Sequence, residues 1–222
     1  MPLLMLDLDN TLVDRDAAFR EAVAAFLAEY ALPASDLDWL MSIDRSGHSP
    51  RRVLAEAMAD RYGARVPRSD LAAMLQRGGA DHMVLQESTQ EALCRAMTDG
   101  WTCVVVTNGP TAQQKAKLRN CGLDALVHGW VISEEVGHRK PEREIFEAAA
   151  EAVGASLQGA WMVGDSPSAD IGGAVGLGVR SVWVSGGRPW PPEMSCQPSH
   201  VSHDVAAAIN HVIRADAAVP RA

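Results

Sequence analysis

Two things that this 222-residue chain has little of narrow its class at once. Cysteine is scarce: Cys94, Cys103, Cys121 and Cys196 never fall into a C-x-x-C spacing. That argues against a structural zinc site and against a disulfide framework, and the four are expected as reduced, buried thiols of a cytoplasmic protein. Long hydrophobic runs are absent too. No stretch approaches the ~20 apolar residues that a membrane-spanning helix requires. With an apolar strand-like run starting at Leu3, no targeting peptide is expected. Neither a membrane nor a nucleic acid is an expected partner, because no stripe of Lys and Arg offsets the formal net charge of −8. An anionic small molecule stays open, since the charge at one site can differ in sign from that of the whole chain. The length suits one domain carrying an insertion better than two equal domains.

What is present is a repeated arrangement of apolar run and polar stop. Leu3-Leu4-Met5-Leu6 reads as a buried strand and ends in Asp7-Leu8-Asp9-Asn10-Thr11. Thr102 to Val106 ends in Thr107-Asn108-Gly109, Trp130 to Ile132 in Ser133-Glu134-Glu135, and Ala160 to Val163 in Gly164-Asp165-Ser166, with Asp170 just after. Each polar cluster taken singly reads as an ordinary turn. Segments of helical spacing lie between them, including Gln113 to Cys121 and Glu142 to Val153. Strands alternating with helices predict an α/β fold with a doubly wound parallel sheet, whose carboxyl ends face one edge and so gather these clusters into one site. Side chains alternate along a strand, so Asp7 and Asp9 point to one side, where two carboxylates call for a cation.

These clusters, with Gly137-His138-Arg139-Lys140-Pro141, resemble in kind and order the four motifs of the haloacid dehalogenase-like (HAD) hydrolase superfamily. The motif-bearing core is about two thirds of the chain, residues 1–15 and 86–222; residues 16–85 then form a helical cap domain inserted after the first motif. Thr107-Asn108-Gly109 through Gln114, and Ile132 to Gly137, look most like the nucleotidase and acylneuraminate-phosphatase branch.

The resemblance implies a Mg²⁺-dependent phosphomonoesterase acting on a small phosphorylated molecule through an aspartyl-phosphate. Asp7 is the implied nucleophile. Asp9 is the implied acid that protonates the leaving alcohol and then activates water. Asp165, the Asp7 carboxylate and the Asp9 carbonyl are the implied Mg²⁺ ligands, an all-oxygen set of the kind Mg²⁺ prefers. Thr107, Asn108 and Lys140 are the implied phosphate holders, with Asp170 and Thr11 supporting them from behind. A haloacid dehalogenase would share Asp7, but such relatives lack the second aspartate and need no metal. A sugar phosphomutase would keep every motif residue. A catalytically silent binding protein on this scaffold is a third alternative, although such proteins often lose Asp7, Asp9 or Lys140.

In the insertion, Phe19, Val23, Phe26, Leu27 and Tyr30 share one helical face. Ser49-Pro50 predicts a helix start with Pro at its first position, and a third helix begins near Ser69 and breaks at Gly78-Gly79. These stripes are expected as cap core. Arg45, His48, Arg51 and Arg52 cluster around a loop between cap helices: a solvated surface, or contacts to the leaving group. His138 and Arg139 are expected to face solvent, and Trp190, in the loop after the last predicted strand Ser181 to Val184, to pack on an edge strand, with contact to a partner subunit as the alternative. The tail from Asp216 to Ala222 reads as frayed.

Overall fold

The computed structural model describes residues 1–217. Strand β1 (Leu3–Leu6) leads through the first motif into four helices, α1 (Arg15–Glu29), α2 (Asp36–Asp44), α3 (Arg51–Tyr62) and α4 (Arg68–Arg77). The chain then returns through α5 (Glu87–Thr98) to β2 (Thr102–Thr107), α6 (Thr111–Asn120), the short α7 (Leu123–Leu126), β3 (Gly129–Ile132), the short α8 (Ser133–Val136) and α9 (Arg143–Ala152). Strand β4 (Trp161–Gly164) runs into a π-helical turn over Pro167–Gly172 and α10 (Gly173–Gly176), followed by β5 (Arg180–Val184), β6 (His200–Ser202) and α11 (Val205–Ala217).

The six strands form one sheet in the order β3-β2-β1-β4-β5-β6, every neighbouring pair parallel. The order reverses between β1 and β4, where open α/β sheets bind ligands beyond the strand ends. Asp7 follows β1 on one side of that switch, and Asp165 follows β4 on the other. Helices cover both faces, so the strands are apolar without interruption. Leu4 and Leu6 pack with Leu93, Ile209 and Val212, while Leu3 and Met5 pack on the opposite face with Phe146 and Ala149. The expected doubly wound α/β sheet is what the chain forms.

Helices α1 to α4 bury their own cluster of Phe19, Val23, Leu40, Leu54, Met58 and Leu71. The inserted stretch begins and ends at neighbouring points, since Val13 and Leu85 form an antiparallel bridge.

Several expectations need correction. Pro50 is the N-cap of α3 and not its first helical residue; its ψ of 135° is extended, and the helix starts at Arg51. Only Cys103 is buried, Cys94 is exposed, and all four cysteines are free. Strand β6 and helix α11 follow the last expected strand. Asp216 and Ala217 belong to α11, and the rest of the expected tail lies outside the described residues. Trp190 packs edge-on against Trp183 with ring centroids 5.0 Å apart, but on an inner strand, because β6 pairs with β5 and takes the edge. Among the described residues, no helix is long and apolar enough to cross a membrane.

Candidate active site

Beyond the carboxyl ends of β1, β2 and β4, a cavity of about 520 Å³ opens between the sheet edge and the inserted helices. At its base is a buried ammonium group. Lys140 is 3 % exposed, and its Nζ lies 2.6 Å from Asp7 Oδ1, 2.8 Å from Asp170 Oδ1 and 2.6 Å from the Val106 carbonyl. Two of these are hydrogen bonds, to Asp7 and the Val106 carbonyl, and the third is an ion pair with Asp170. The loop that carries it is pinned by Asn108, whose amide donates to the Lys140 carbonyl at 3.0 Å and whose Oδ1 accepts from the Lys140 N–H at 2.9 Å.

Single carboxylate oxygens of Asp7, Asp165 and Asp170 all lie within 4.8 Å of one another. Three carboxylates around one lysine leave negative charge uncompensated, and the proton affinities reflect it. Burial, then the neighbouring Asp170 and Asp165 carboxylates, push Asp7 up to about 8 against the pull of Lys140. Asp165 rises to about 6, chiefly through burial and Asp170, although Arg188 opposes this from 3.2 Å. Lys140 is raised by Asp170 and Asp7, which outweigh the cost of burying it. The acidic, oxygen-only donor set fits a hard divalent cation such as Mg²⁺. Asp170 is already claimed by Lys140 and by the Ser166 N–H at 2.9 Å, which suits an outer position. It sits in the π-helical turn, and Gly164 makes room for it: a Cβ there would fall 2.3 Å from Asp170 Oδ2.

Asp9 has a different environment. Its oxygens lie 2.7 and 2.6 Å from Lys117 Nζ, and Gln114 donates to it at 3.1 Å. Burial raises Asp9, but Lys117 and Gln114 together hold it below the ordinary carboxylate range. Gln114 also donates to Thr107 Oγ1 at 2.6 Å, leaving that hydroxyl its own proton to give.

A model of haloacid dehalogenase-like hydrolases matches residues 1–178. The chain is 31 % identical to a phosphoserine phosphatase of Thermus thermophilus, over 88 % of this chain and 93 % of that one. The chain belongs to the haloacid dehalogenase-like hydrolases. A pyrimidine 5'-nucleotidase of Escherichia coli, YjjG, is 37 % identical over 40 % of each chain. Among solved structures, magnesium-bound YfnB of Bacillus subtilis, assigned as a HAD-hydrolase, superposes with a TM-score of 0.74 at 22 % identity, covering 95 % of this chain and 98 % of that one. The expected HAD type, an enzyme of the phosphatase kind, agrees with these relatives.

This HAD fold brings Asp7, Asp9, Thr107, Asn108, Lys140, Asp165 and Asp170 to one cavity. The Asp9 carboxylate is not part of the three-carboxylate cluster. Asn108 braces Lys140 with its Oδ1 and one of its two amide N–H groups, and it also lines the cavity. Thr11 lines a separate cleft of about 420 Å³ with Asp14, Gln86 and His203.

From the cap, His48 and Arg51 reach the cavity. Arg45 and Arg52 do not: Arg45 is the exposed left-handed cap of α2, and Arg52 pairs with Glu56 at 2.9 Å on the surface. His138 is exposed and lies 3.0 Å from Glu142, whereas Arg139 is exposed at the cavity rim. Sequence reasoning passed over Arg15, Lys117 and Arg188. A signal existed for Lys117, since α6 turns Gln113, Gln114 and Lys117 toward the core at helical spacing, a polar stripe where an apolar one is the rule.

Proposed function

We propose that this chain is a Mg²⁺-dependent phosphomonoesterase of small phosphorylated molecules, working through an aspartyl-phosphate on Asp7. The observation carrying this reading is the cluster of Asp7, Asp165 and Asp170 around Lys140 at the sheet's switch point. Asp7 and Asp165, with the Asp9 carbonyl, would hold Mg²⁺. When bound, the ion would lower the proton affinity of Asp7 and neutralise phosphoryl charge.

Asp7 is held by Lys140 at one oxygen, leaving the other to attack phosphorus in line with the departing alkoxide. The P–O bond to the alcohol breaks as the Asp7–phosphorus bond forms, and Asp9 delivers a proton to the leaving oxygen. Asp9 then takes a proton from the water that hydrolyses the aspartyl-phosphate, returning Asp7 and free phosphate. Thr107 donates its hydroxyl to the phosphoryl oxygens. Asn108 keeps Lys140 in place, and Asp170 keeps it aimed at Asp7. Donation by Asp9 requires that it be protonated and moved off Lys117, so substrate entry must loosen the Asp9–Lys117 pair.

The two different carboxylate environments, Asp7 raised and Asp9 lowered, support separate roles for the two aspartates. The decisive experiment is phosphate release from nucleotide, sugar and small organic phosphates, with and without Mg²⁺, using Asp7→Asn protein as the blank. Metal-dependent release absent from the blank is expected. Release that persists in excess chelator, or in the blank, would overturn the assignment.

A further inference from the structure

The cap half of the cavity is built from cations and small polar groups. Its lining contains no Phe, Trp or Tyr and no Leu, Ile, Val or Met. A nucleobase would find no apolar wall there to cover it, and among the described residues the His48 imidazole is the single aromatic ring in that lining.

What faces the leaving-group side is Arg51, at the first turn of α3, with Arg15 behind it. Arg15 is 3 % exposed, and three of its five N–H donors are committed: it grips both oxygens of the fully buried Asp44 and reaches Asp16 at 2.9 Å. Arg51 has to share that carboxylate, with a single hydrogen bond of 3.0 Å from Nη1 to Asp44 Oδ1. Its guanidinium carbon lies over the Phe19 ring, 5.1 Å from the centroid, and Nη2 lies beside Gly78, where a side-chain Cβ would come within 3.4 Å. A guanidinium has five N–H donors, so most of those on Arg51 lack an acceptor while its charge is partly withdrawn from water. Burial and the neighbouring Arg15 both act against its charged form. A desolvated, under-paired arginine on a cavity wall is suited to a bidentate anion.

We infer that the leaving alcohol of the substrate carries an anionic group of its own, a carboxylate or a second phosphate, and that Arg51 receives it in the cap half of the cavity. Asp44 and Arg15 are positioning residues: Asp44 fixes the angle of Arg51, and Arg15 stops Asp44 from neutralising it. The inference rests on the phosphomonoesterase reading and narrows it to a class of doubly anionic substrates. A neutral analogue would leave the Arg51 donors unpaired in a partly dry pocket, which is how a site rejects a near-isostere.

The test compares kcat/KM with Mg²⁺ for glycerol 3-phosphate, 3-phosphoglycerate and glycerol 1,3-bisphosphate. These differ in carrying no further anion, a carboxylate or a phosphate. Para-nitrophenyl phosphate reports on the chemistry alone. At least one anionic ester should exceed glycerol 3-phosphate by about tenfold or more, and the rank of the two identifies the anion. That preference, taken as a ratio, should fall about tenfold in Arg51→Met and less in Arg51→Lys, which keeps the charge without the fork. Melting curves of both variants identify any loss of fold, and the Lys variant keeps the test alive if the Met variant unfolds. Cleavage of para-nitrophenyl phosphate with no anionic preference would overturn the inference and leave the phosphatase standing. A preference that survives Arg51→Met would overturn the role of Arg51. No metal-dependent cleavage of any compound would remove both readings together.

Discussion

Lys117 Nζ bridges both carboxylate oxygens of Asp9, at 2.7 and 2.6 Å, from a helix more than a hundred residues along the chain. Lys117 is 2 % exposed, and Asp9 is its anionic partner. Burial lowers the proton affinity of the lysine, and Asp9 opposes that shift. The pair therefore holds Asp9 ionised.

Replacing Lys117 by Met should leave Asp9 with Gln114 as its remaining side-chain partner. Breaking a buried pair costs about 3–5 kcal/mol, and the partial exposure of Asp9 brings the expected loss toward ~1–3 kcal/mol. Turnover should fall by about 10- to 100-fold through misplacement of the acid. Lys117→Arg should recover part of kcat with little change in KM. A Lys117→Met protein with wild-type kcat and an unchanged melting temperature would show that the pair is incidental.

Asp7→Asn separates chemistry from stability. The amide cannot act as the nucleophile, so turnover should drop by about a thousandfold or more. The same change removes one of three crowded carboxylates, so the metal-free protein should melt no lower than wild type and should show weaker stabilisation by Mg²⁺. Calorimetry with and without the ion reads both effects. A large loss of stability without metal would mean that the Lys140 pairing outweighs the crowding.

The strands and their polar stops were legible because buried parallel strands are uninterrupted apolar runs, and the residue that ends such a run marks the sheet edge. Asp7, Thr107 and Asp165 stand at or just after those edges, whereas Lys140 returns from a loop beyond α8. Residues that reach the site through contacts distant in sequence were not legible. Arg188 comes from a Gly- and Pro-rich loop and returns 23 positions to Asp165, and Asn108 turns to a main chain 32 positions away. Strand β6 is His200-Val201-Ser202, too short for any pattern to declare it. The cap arginines were distinguishable only in three dimensions, because Arg51 and Arg52 are adjacent in sequence and leave α3 in different directions.

Metal affinity and stability should both depend on pH, with opposite slopes. Asp7 titrates near 8 in the metal-free fold against an ordinary value of 3.8, so between the two the folded state holds a proton that the unfolded chain has released. Stability of the metal-free protein is thus greatest at the acid end of this window and falls as pH rises through it. Asp165, shifted to about 6, adds to the same slope. Each displaced proton contributes about 1.4 kcal/mol per pH unit, so the loss accumulates steadily across the window. Mg²⁺ has to displace those protons, so its affinity should rise toward pH 8 and then level off. Melting temperatures measured across this range, with chelator and with Mg²⁺, should diverge as pH rises. Parallel curves would contradict a site built on these carboxylates.

Gly164 offers a test of how tightly the charged cluster is built. Alanine there places a methyl group 2.3 Å from Asp170 Oδ2 and 2.4 Å from its carboxyl carbon, distances that no native contact tolerates. Asp170 cannot simply swing aside, because Lys140 holds one oxygen and the Ser166 N–H holds the other. Gly164→Ala should therefore push Asp170 off Lys140, costing about 1–3 kcal/mol as overpacking does. It should also weaken Mg²⁺ binding by disturbing the Asp7 side of the cluster. If the steric push is the cause, Asp170→Ala should relieve it, and the double variant should lose less stability than the two single variants together. Strict additivity would locate the damage in the β4 backbone and not in the Asp170–Lys140 contact.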